Sequence, residues 1–126
     1  MTCPPCFTTT REDAVGWLRE RRPDGVALSS VSKAELYFGA RKSERVGHNL
    51  SVLARFFGPF GSLVFDDRAS EEYGVIRADL ERAGTLVGPN ELLIASIARS
   101  RDLTLISLNY RELSRVAGLR LQGFEG

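Results

Sequence analysis

The sequence predicts an α/β fold with three layers, in which helices cover both faces of a mainly parallel central sheet. Short apolar runs typical of buried strands alternate along the chain with longer amphipathic segments typical of helices. The chain of 126 residues contains no internal repeat and no linker long enough to separate two domains. We therefore expect a single domain over residues 1–126.

The predicted elements follow from apolar periodicity and from residues that start or stop helices. The predicted helices are Thr10–Arg22, Ser30–Gly39, Gly47–Phe57, Ala69–Ala83 and Glu91–Arg99. The predicted strands are Val26–Leu28, Ser62–Phe65, Leu103–Leu108 and a last edge strand at Leu119–Leu121. Asp66 and Asp67 stand where N-caps belong, and Gly84 is a natural residue after a helix. Asn90 is predicted to cap the next helix. We expect the strands at 26–28, 63–65 and 103–106 to pair in one sheet.

Composition and charge exclude some partners. Apolar residues make up 43% of the chain, and 17 basic against 16 acidic residues give a net charge of +1. This balance predicts no polybasic nucleic-acid surface, so an RNA partner has to be argued from a site. No apolar run is long enough to cross a membrane, and the opening MTCPPCFTTT lacks the features of a secretory signal. We therefore expect a cytoplasmic protein.

Cys3 and Cys6 have a C-x-x-C spacing, which is compatible with a redox pair or half of a zinc site. A redox pair would need a preceding strand and a helix that starts at the motif. A zinc site would need two more soft ligands, and His48 is the single histidine. We interpret the cysteines as free thiols and His48 as a surface residue.

Glu35 occupies an unusual place on its predicted helix, because it shares the predicted buried face with Ala34 and Phe38. A carboxylate on a buried face must be paired, protonated or bound to a metal. A structural partner such as Arg41 or Lys42 is as compatible with the pattern as a metal site.

Glu91 opens its predicted helix and points along the face that carries Ile94, Ala95 and Ala98. The alternative interpretation is a first-turn acid that stabilises the helix dipole. Asn109 ends an alternating strand face that changes from apolar to polar at Ser107, where α/β folds place their functional crevice. Its alternative interpretation is an ordinary turn residue.

Two carboxylates that converge on one crevice repel each other by roughly 4 kcal/mol at about 4 Å in an effective dielectric near 20. A divalent cation relieves that repulsion, and carboxylate and amide oxygens suit magnesium or manganese better than zinc. Such a cation activates water and stabilises a phosphoryl transition state. The pattern therefore favours metal-dependent hydrolysis of a phosphodiester, which needs no cysteine, histidine or serine nucleophile.

Three segments carry a family resemblance: Val26–Ser43, which contains Ala-Glu-Leu; Val87–Ser96, which reads VGPNELLIAS; and Leu105–Leu121, which reads LISLNYRELSRVAGLRL. Together they resemble the PIN-domain family in its branch of VapC-type toxins, over roughly residues 11–124. Glu35 matches the family's active-site acid, and Glu91 stands where the family has a catalytic Asp. Asn109 matches a metal-site position that is Asp or Asn, and Ser107 matches a nearby Thr or Ser.

The resemblance implies a Mg²⁺- or Mn²⁺-dependent endoribonuclease that acts as the toxin of a toxin–antitoxin pair. Glu35, Glu91 and Asn109 would hold the metal, directly or through water, and Asn109 with Ser107 would orient a water or a phosphate. The implied partners are an RNA substrate, a small VapB-like antitoxin that inhibits the toxin, and a second copy of the chain in a homodimer.

The N-terminus departs from the family, which opens with an apolar strand ending in Asp-Thr-Asn, where the Asp is a metal ligand. This chain has TCPPCFTTT there, and prolines donate no ladder hydrogen bonds. Asp13 lies inside the predicted first helix and is no substitute. We therefore expect residues 1–10 to be irregular, and both the central strand and one metal ligand to be lost. A misassigned start, a frameshifted reading frame or a decayed gene would each explain the departure.

Two alternatives follow from this departure. One is a catalytically impaired PIN-like module that binds an antitoxin or RNA without cleaving RNA. The other is an unrelated α/β binding module in which the acidic residues are structural.

Overall fold

The computed structural model describes residues 6–7, 27–58, 61–107 and 109–122. The helices in these ranges are α1 (Ser30–Lys42), α2 (Val46–Phe57), α3 (Asp67–Ala83), α4 (Pro89–Ser100) and α5 (Tyr110–Leu113). The strands are β1 (Cys6–Phe7), β2 (Ala27–Ser29), β3 (Gly61–Leu63), β4 (Thr104–Ile106) and β5 (Arg120–Gln122). The predicted helix Thr10–Arg22 lies outside the described residues.

The strands form one sheet in the order β3-β2-β1-β4-β5, and each neighbouring pair is parallel. The predicted pairing of three strands in one sheet is confirmed, as is the α/β class with a mainly parallel sheet. All three residues of β2 are buried. Leu105 and Ile106 of β4, which point to opposite faces of the sheet, are also buried. Both faces of the sheet are therefore covered at its centre.

The prediction that residues 1–10 are irregular is wrong for Cys6 and Phe7. These two residues form β1, the middle strand, in which Cys6 is paired with Ala27 and Leu105. The strand begins after Pro5, so its ladder hydrogen bonds need no N–H group from either proline. The central strand is therefore present, and the prediction of its loss is corrected. The residue that follows it in the sequence is Thr8, which carries no carboxylate.

Side chains cap two of the helices that border the sheet. The Ser29 hydroxyl at the end of β2 accepts a hydrogen bond of 3.0 Å from the Ser32 N–H, so α1 starts directly after the strand. The Asp66 carboxylate accepts from the Ala69 N–H at 3.0 Å and caps α3, as predicted. Gly84, with a φ of 71°, ends α3 in the left-handed conformation that glycine adopts without strain.

The start of α4 differs from the prediction. Gly88 is the N-cap residue and Pro89 opens the helix, so Asn90 lies inside the first turn and is not the cap. Proline favours the first helical position, because its fixed φ suits a helix and its missing N–H would have no intrahelical partner. The side chain of Asn90 is consequently free to contact another element.

The predicted buried face of α1 is also wrong. Phe38 is 63% exposed and Ala34 is exposed, whereas Ser32 and Ala40 are buried. Small residues lie on the inner side of α1, and its aromatic residues lie towards solvent. Glu35 is only partly buried as a result.

The core lies mainly between α3, α4 and the strands next to α4. Its buried members are Ile76, Leu80, Leu92, Ile94, Ala95, Ala98, Leu103, Leu105, Leu113 and Val116. The predicted apolar face of α4 is therefore confirmed at Ile94 and Ala95, and α3 buries Ile76 and Leu80. In the described part of the chain, no helix combines the length and the apolar character needed to span a bilayer.

Candidate active site

Three segments converge at the carboxyl-terminal edge of the sheet. Glu35 lies in the second turn of α1, which starts where β2 ends, and Asn109 follows the end of β4. Strand β1 lies between β2 and β4, and the strands are parallel, so the segments after β2 and β4 emerge at the same edge. The first turn of α4, with Glu91, lies between these two segments, as its contacts with both of them establish.

Within the described part of the chain, Glu35 is held by an amide and not by a cation. The Asn90 side-chain N–H₂ donates a hydrogen bond to Glu35 Oε1 and so joins α1 to the first turn of α4. The partner expected from the sequence as an alternative, Arg41 or Lys42, does not fill this place. The Lys42 ammonium lies over the Phe38 ring, 5.2 Å from its centroid. The Asn90 bond leaves the second oxygen of Glu35 for another ligand.

Glu91 is held by a second amide. The Asn109 side-chain N–H₂ donates to Glu91 Oε1 at 2.8 Å, and the Asn109 backbone N–H donates to the Ser107 hydroxyl at 2.9 Å. Ser107, directly after β4, is 1% exposed, so it anchors this segment to the buried part of the sheet. The three residues form a chain from the sheet to Glu91, and the carbonyl oxygen of the Asn109 side chain stays available as an acceptor.

A third acid, Glu112 of α5, borders the site and was missed by the sequence analysis. Its carboxylate accepts a hydrogen bond from the Gly88 N–H at the start of α4. A Cβ atom added to Gly88 would lie 3.3 Å from Glu112 Oε1 and 3.4 Å from Glu91 Oε2, so both carboxylates flank this glycine. The signal that could have found Glu112 is its spacing, three residues after Asn109 at the start of a short helix.

Burial raises the pKa of the Glu91 carboxyl above its ordinary value, and the nearby charges of Glu35 and Glu112 raise it further. Hydrogen bonds from its own backbone N–H and from Asn109 act in the opposite direction. Glu35 and Glu112 are thus two acids whose charge acts on the Glu91 carboxyl.

The structure thus brings Glu35, Glu91, Asn109 and Ser107 to one edge of the sheet. Over residues 6–7, 27–58, 61–107 and 109–122, no three Asp, Glu, His or Cys side chains are placed to hold one metal ion. The donor chemistry nevertheless fits a hard divalent cation, because mutually repelling carboxylates and an amide oxygen are the ligands such cations prefer.

Comparison with known proteins places the chain in a family. A model of the PIN domain matches residues 8–119. The chain is 42% identical over 97 residues to the tRNA(fMet)-specific endonuclease VapC of Shigella flexneri, covering 77% of this chain and 74% of the relative. It is 38% identical over 99 residues to Ribonuclease VapC2 of Haemophilus influenzae, covering 79% and 75% of the two chains.

The fold agrees with this match. The structure of DNA-bound VapBC from Salmonella typhimurium superposes with a TM-score of 0.85 at 32% identity, covering 95% of this chain and 98% of that chain. The structure of VapBC2 from Rickettsia felis, bound to a DNA fragment, gives a TM-score of 0.81 at 28% identity over 95% and 98%. The chain therefore belongs to the PIN-domain family, within its VapC branch.

Proposed function

We propose that this chain is an endoribonuclease that needs a divalent cation and acts as the toxin of a VapBC-type pair. The observation that carries the proposal is the pair of amide–carboxylate contacts at the start of α4, Asn90 with Glu35 and Asn109 with Glu91. These contacts orient two acids at the edge of the sheet and leave one oxygen of each carboxylate unbonded by the amides.

Glu35, Glu91 and the side-chain oxygen of Asn109 would hold Mg²⁺ or Mn²⁺, directly or through water. The bound cation would activate water and stabilise the charge of a phosphoryl transition state. The protein's own part is positional: Asn90 fixes Glu35, Ser107 fixes the Asn109 backbone, and Asn109 fixes Glu91. Glu112 adds negative charge beside Glu91 and so favours a cation there.

The proposed partners follow from the relatives. Their names describe ribonucleases and a tRNA endonuclease, and the matched structures are VapBC complexes. We infer RNA as the substrate, a VapB-like antitoxin as the inhibitor and a homodimer as the assembly. A toxin of this kind acts where cellular RNA is, so we place it in the cytoplasm. Copurification with the product of an adjacent small gene would test the antitoxin partner.

The experiment that tests the activity uses the chain as it stands, incubated with tRNA in Mg²⁺ or in EDTA. We expect slow cleavage that needs Mg²⁺ and is abolished by Glu91→Ala. Glu71→Gln, on the exposed side of α3, is the matched control and should leave the rate unchanged. Cleavage of equal rate in EDTA, or in the Glu91→Ala variant, would contradict the proposal.

A second candidate function is a PIN-like module that binds an antitoxin or RNA without cleaving it. The observation in its favour is Thr8, which follows the central strand where the resembled family has a metal-binding Asp. Absence of cleavage together with retained binding of RNA or antitoxin would support this second function over the first.

A further inference from the structure

A groove lies directly beside Glu35 on the outer side of α1. Its lining residues are Glu35, Phe38, Gly39, Lys42 and Ser43, and its volume is about 420 Å³. This volume is within the range of sites that hold small organic groups. Since Glu35 forms one wall, whatever fills the groove lies next to the candidate active site.

Phe38 and Lys42 give this groove an aromatic ring and a positive charge. Phe38 is 63% exposed, so a ligand can contact it from solvent. The Lys42 ammonium lies 5.2 Å from the ring centroid. Gly39 leaves the groove open beside the backbone of α1, because a Cβ atom added there would meet nothing within 4 Å.

An aromatic ring beside a cation is the combination by which proteins bind single-stranded nucleic acid, with a base on the ring and a phosphate on the cation. We propose that this groove binds one nucleotide of single-stranded RNA next to the cleavage site, an inference that rests on the proposed function. The base stacks on Phe38, and the adjacent phosphate pairs with Lys42. A base inside a duplex is already stacked on both sides, so the groove selects unpaired RNA.

The lining favours RNA over a protein partner. Among the described residues that line the groove, Phe38 is the single large apolar side chain, and the others present a carboxylate, an ammonium, a hydroxyl and a glycine. A protein anchor residue is generally held in a desolvated apolar pocket. RNA carries regularly spaced phosphates. One phosphate at a cation held by Glu35 would leave the next one for Lys42, which lies two turns further along α1.

The test measures binding, so it does not depend on the catalytic power of the chain. A fluorescein-labelled single-stranded RNA of eight nucleotides is titrated with protein in EDTA and followed by anisotropy. We expect Phe38→Ala to weaken binding about tenfold, which is the loss of one stacked base. Affinity for RNA falls as salt rises. We expect Lys42→Gln to reduce the steepness of log affinity against log salt by about 0.7, which corresponds to one lost phosphate contact on a single strand.

Two control variants match these changes away from the groove. Leu86→Ala removes another exposed apolar side chain, which is 79% exposed. Arg77→Gln removes another exposed cation that lies over an aromatic ring, 5.9 Å from the Tyr73 centroid. Neither control should change the affinity by as much as twofold or alter the salt slope. An RNA of the same length with abasic sites should bind wild type and Phe38→Ala equally, because it has no base to stack.

Two results would overturn the groove assignment. One is no measurable binding of the RNA by the wild-type chain. The other is unchanged affinity and salt slope in both groove variants, which would give the groove to a protein partner. If the wild-type chain cleaves RNA while Phe38→Ala and Lys42→Gln bind RNA as well as wild type does, this inference is refuted and the proposed function stands. Binding that depends on Phe38 and Lys42 without any cleavage would refute the proposed function and support the groove.

Discussion

Asn90 and Asn109 stabilise the two candidate ligand acids without adding charge to the site. Each donates one amide hydrogen to one carboxylate, Asn90 to Glu35 and Asn109 to Glu91. A lysine or arginine in the same places would neutralise the acids and compete with a cation. An amide orients the carboxylate and leaves its negative charge in place, which suits a site that attracts a divalent ion.

Removal of one acid should weaken metal binding. We expect Glu35→Gln to reduce the affinity for Mn²⁺ by about tenfold, because it removes a charged oxygen ligand next to Glu91. Isothermal titration calorimetry with MnCl₂ measures the change, and Glu71→Gln is the control for loss of one carboxylate far from the site. Equal affinity in wild type and Glu35→Gln would remove Glu35 from the metal site.

The raised pKa of Glu91 sets a pH dependence of stability. Between the ordinary value of 4.5 and the raised pKa, the folded chain binds more protons than the unfolded chain. The free energy of unfolding therefore falls as pH rises through that window. Glu91→Gln removes this penalty, so in EDTA we expect its Tm to exceed that of wild type at neutral pH and to converge with it below pH 4.5. A Gln variant that is less stable than wild type at neutral pH would contradict this sign.

The residues of the site differ in how well the sequence predicts them. Glu91, Asn109 and Ser107 are predicted because each breaks an apolar pattern, whereas the apolar face that singles out Glu35 is not the buried face of α1. The structure places all four residues at one edge of the sheet. Glu112 and Asn90 were not assigned to the site, because neither interrupts an apolar face. Their positions depend on contacts between elements that are distant in the sequence, which periodicity does not reveal.

At the scale of elements, the first turn of α4 organises the site. The Gly88 N–H donates a hydrogen bond to Glu112, and the Asn90 amide donates one to Glu35 of α1. The Glu91 carboxylate accepts one from Asn109. The sequence predicted the wrong start for this helix, because Asn90 is a good N-cap residue and Pro89 is a good first residue, and the two preferences compete. The proline start rotates Asn90 into the helix and makes its amide available to Glu35.

Gly74 inside α3 and Gly84 directly after it should respond oppositely to the same substitution. Gly74 lies in the exposed interior of the helix and a Cβ atom there meets nothing within 4 Å, so Gly74→Ala should raise the free energy of unfolding by about 0.5–1 kcal/mol. Gly84 has a φ of 71°, so Gly84→Ala should lower it by about 1 kcal/mol. Chemical denaturation of both variants measures the difference. A stabilising Gly84→Ala would contradict the left-handed end of α3.

At the scale of the whole molecule, the strand order brings the site together. With β1 between β2 and β4, α1 and Asn109 emerge on either side of the central strand. The alternation of strands and helices predicted the fold class and the shared sheet. The presence of β1 could not be predicted in the same way, because Pro4 and Pro5 argue against a strand. The two residues after the prolines, Cys6 and Phe7, are nevertheless enough to pair with both neighbouring strands.

The position of β1 also shows where the resembled Asp-Thr-Asn would fall. The strand ends at Phe7, so Asp-Thr-Asn would occupy residues 8–10, where this chain has Thr-Thr-Thr. The double substitution Thr8→Asp and Thr10→Asn therefore restores it without changing the strand. Thr9 already matches the middle residue of the triplet.

The rate of tRNA cleavage in Mg²⁺ by this double variant tests the central claim most directly. We expect a rate about a hundredfold above that of the chain as it stands, because the loss of groups that hold or orient a metal costs roughly 10- to 100-fold in activity. Glu91→Ala in the restored chain should abolish the gain, and Glu71→Gln should preserve it. A restored chain that folds with the same Tm but cleaves no RNA, or cleaves it equally well without Glu91, would contradict the assignment of this sheet edge as a ribonuclease site.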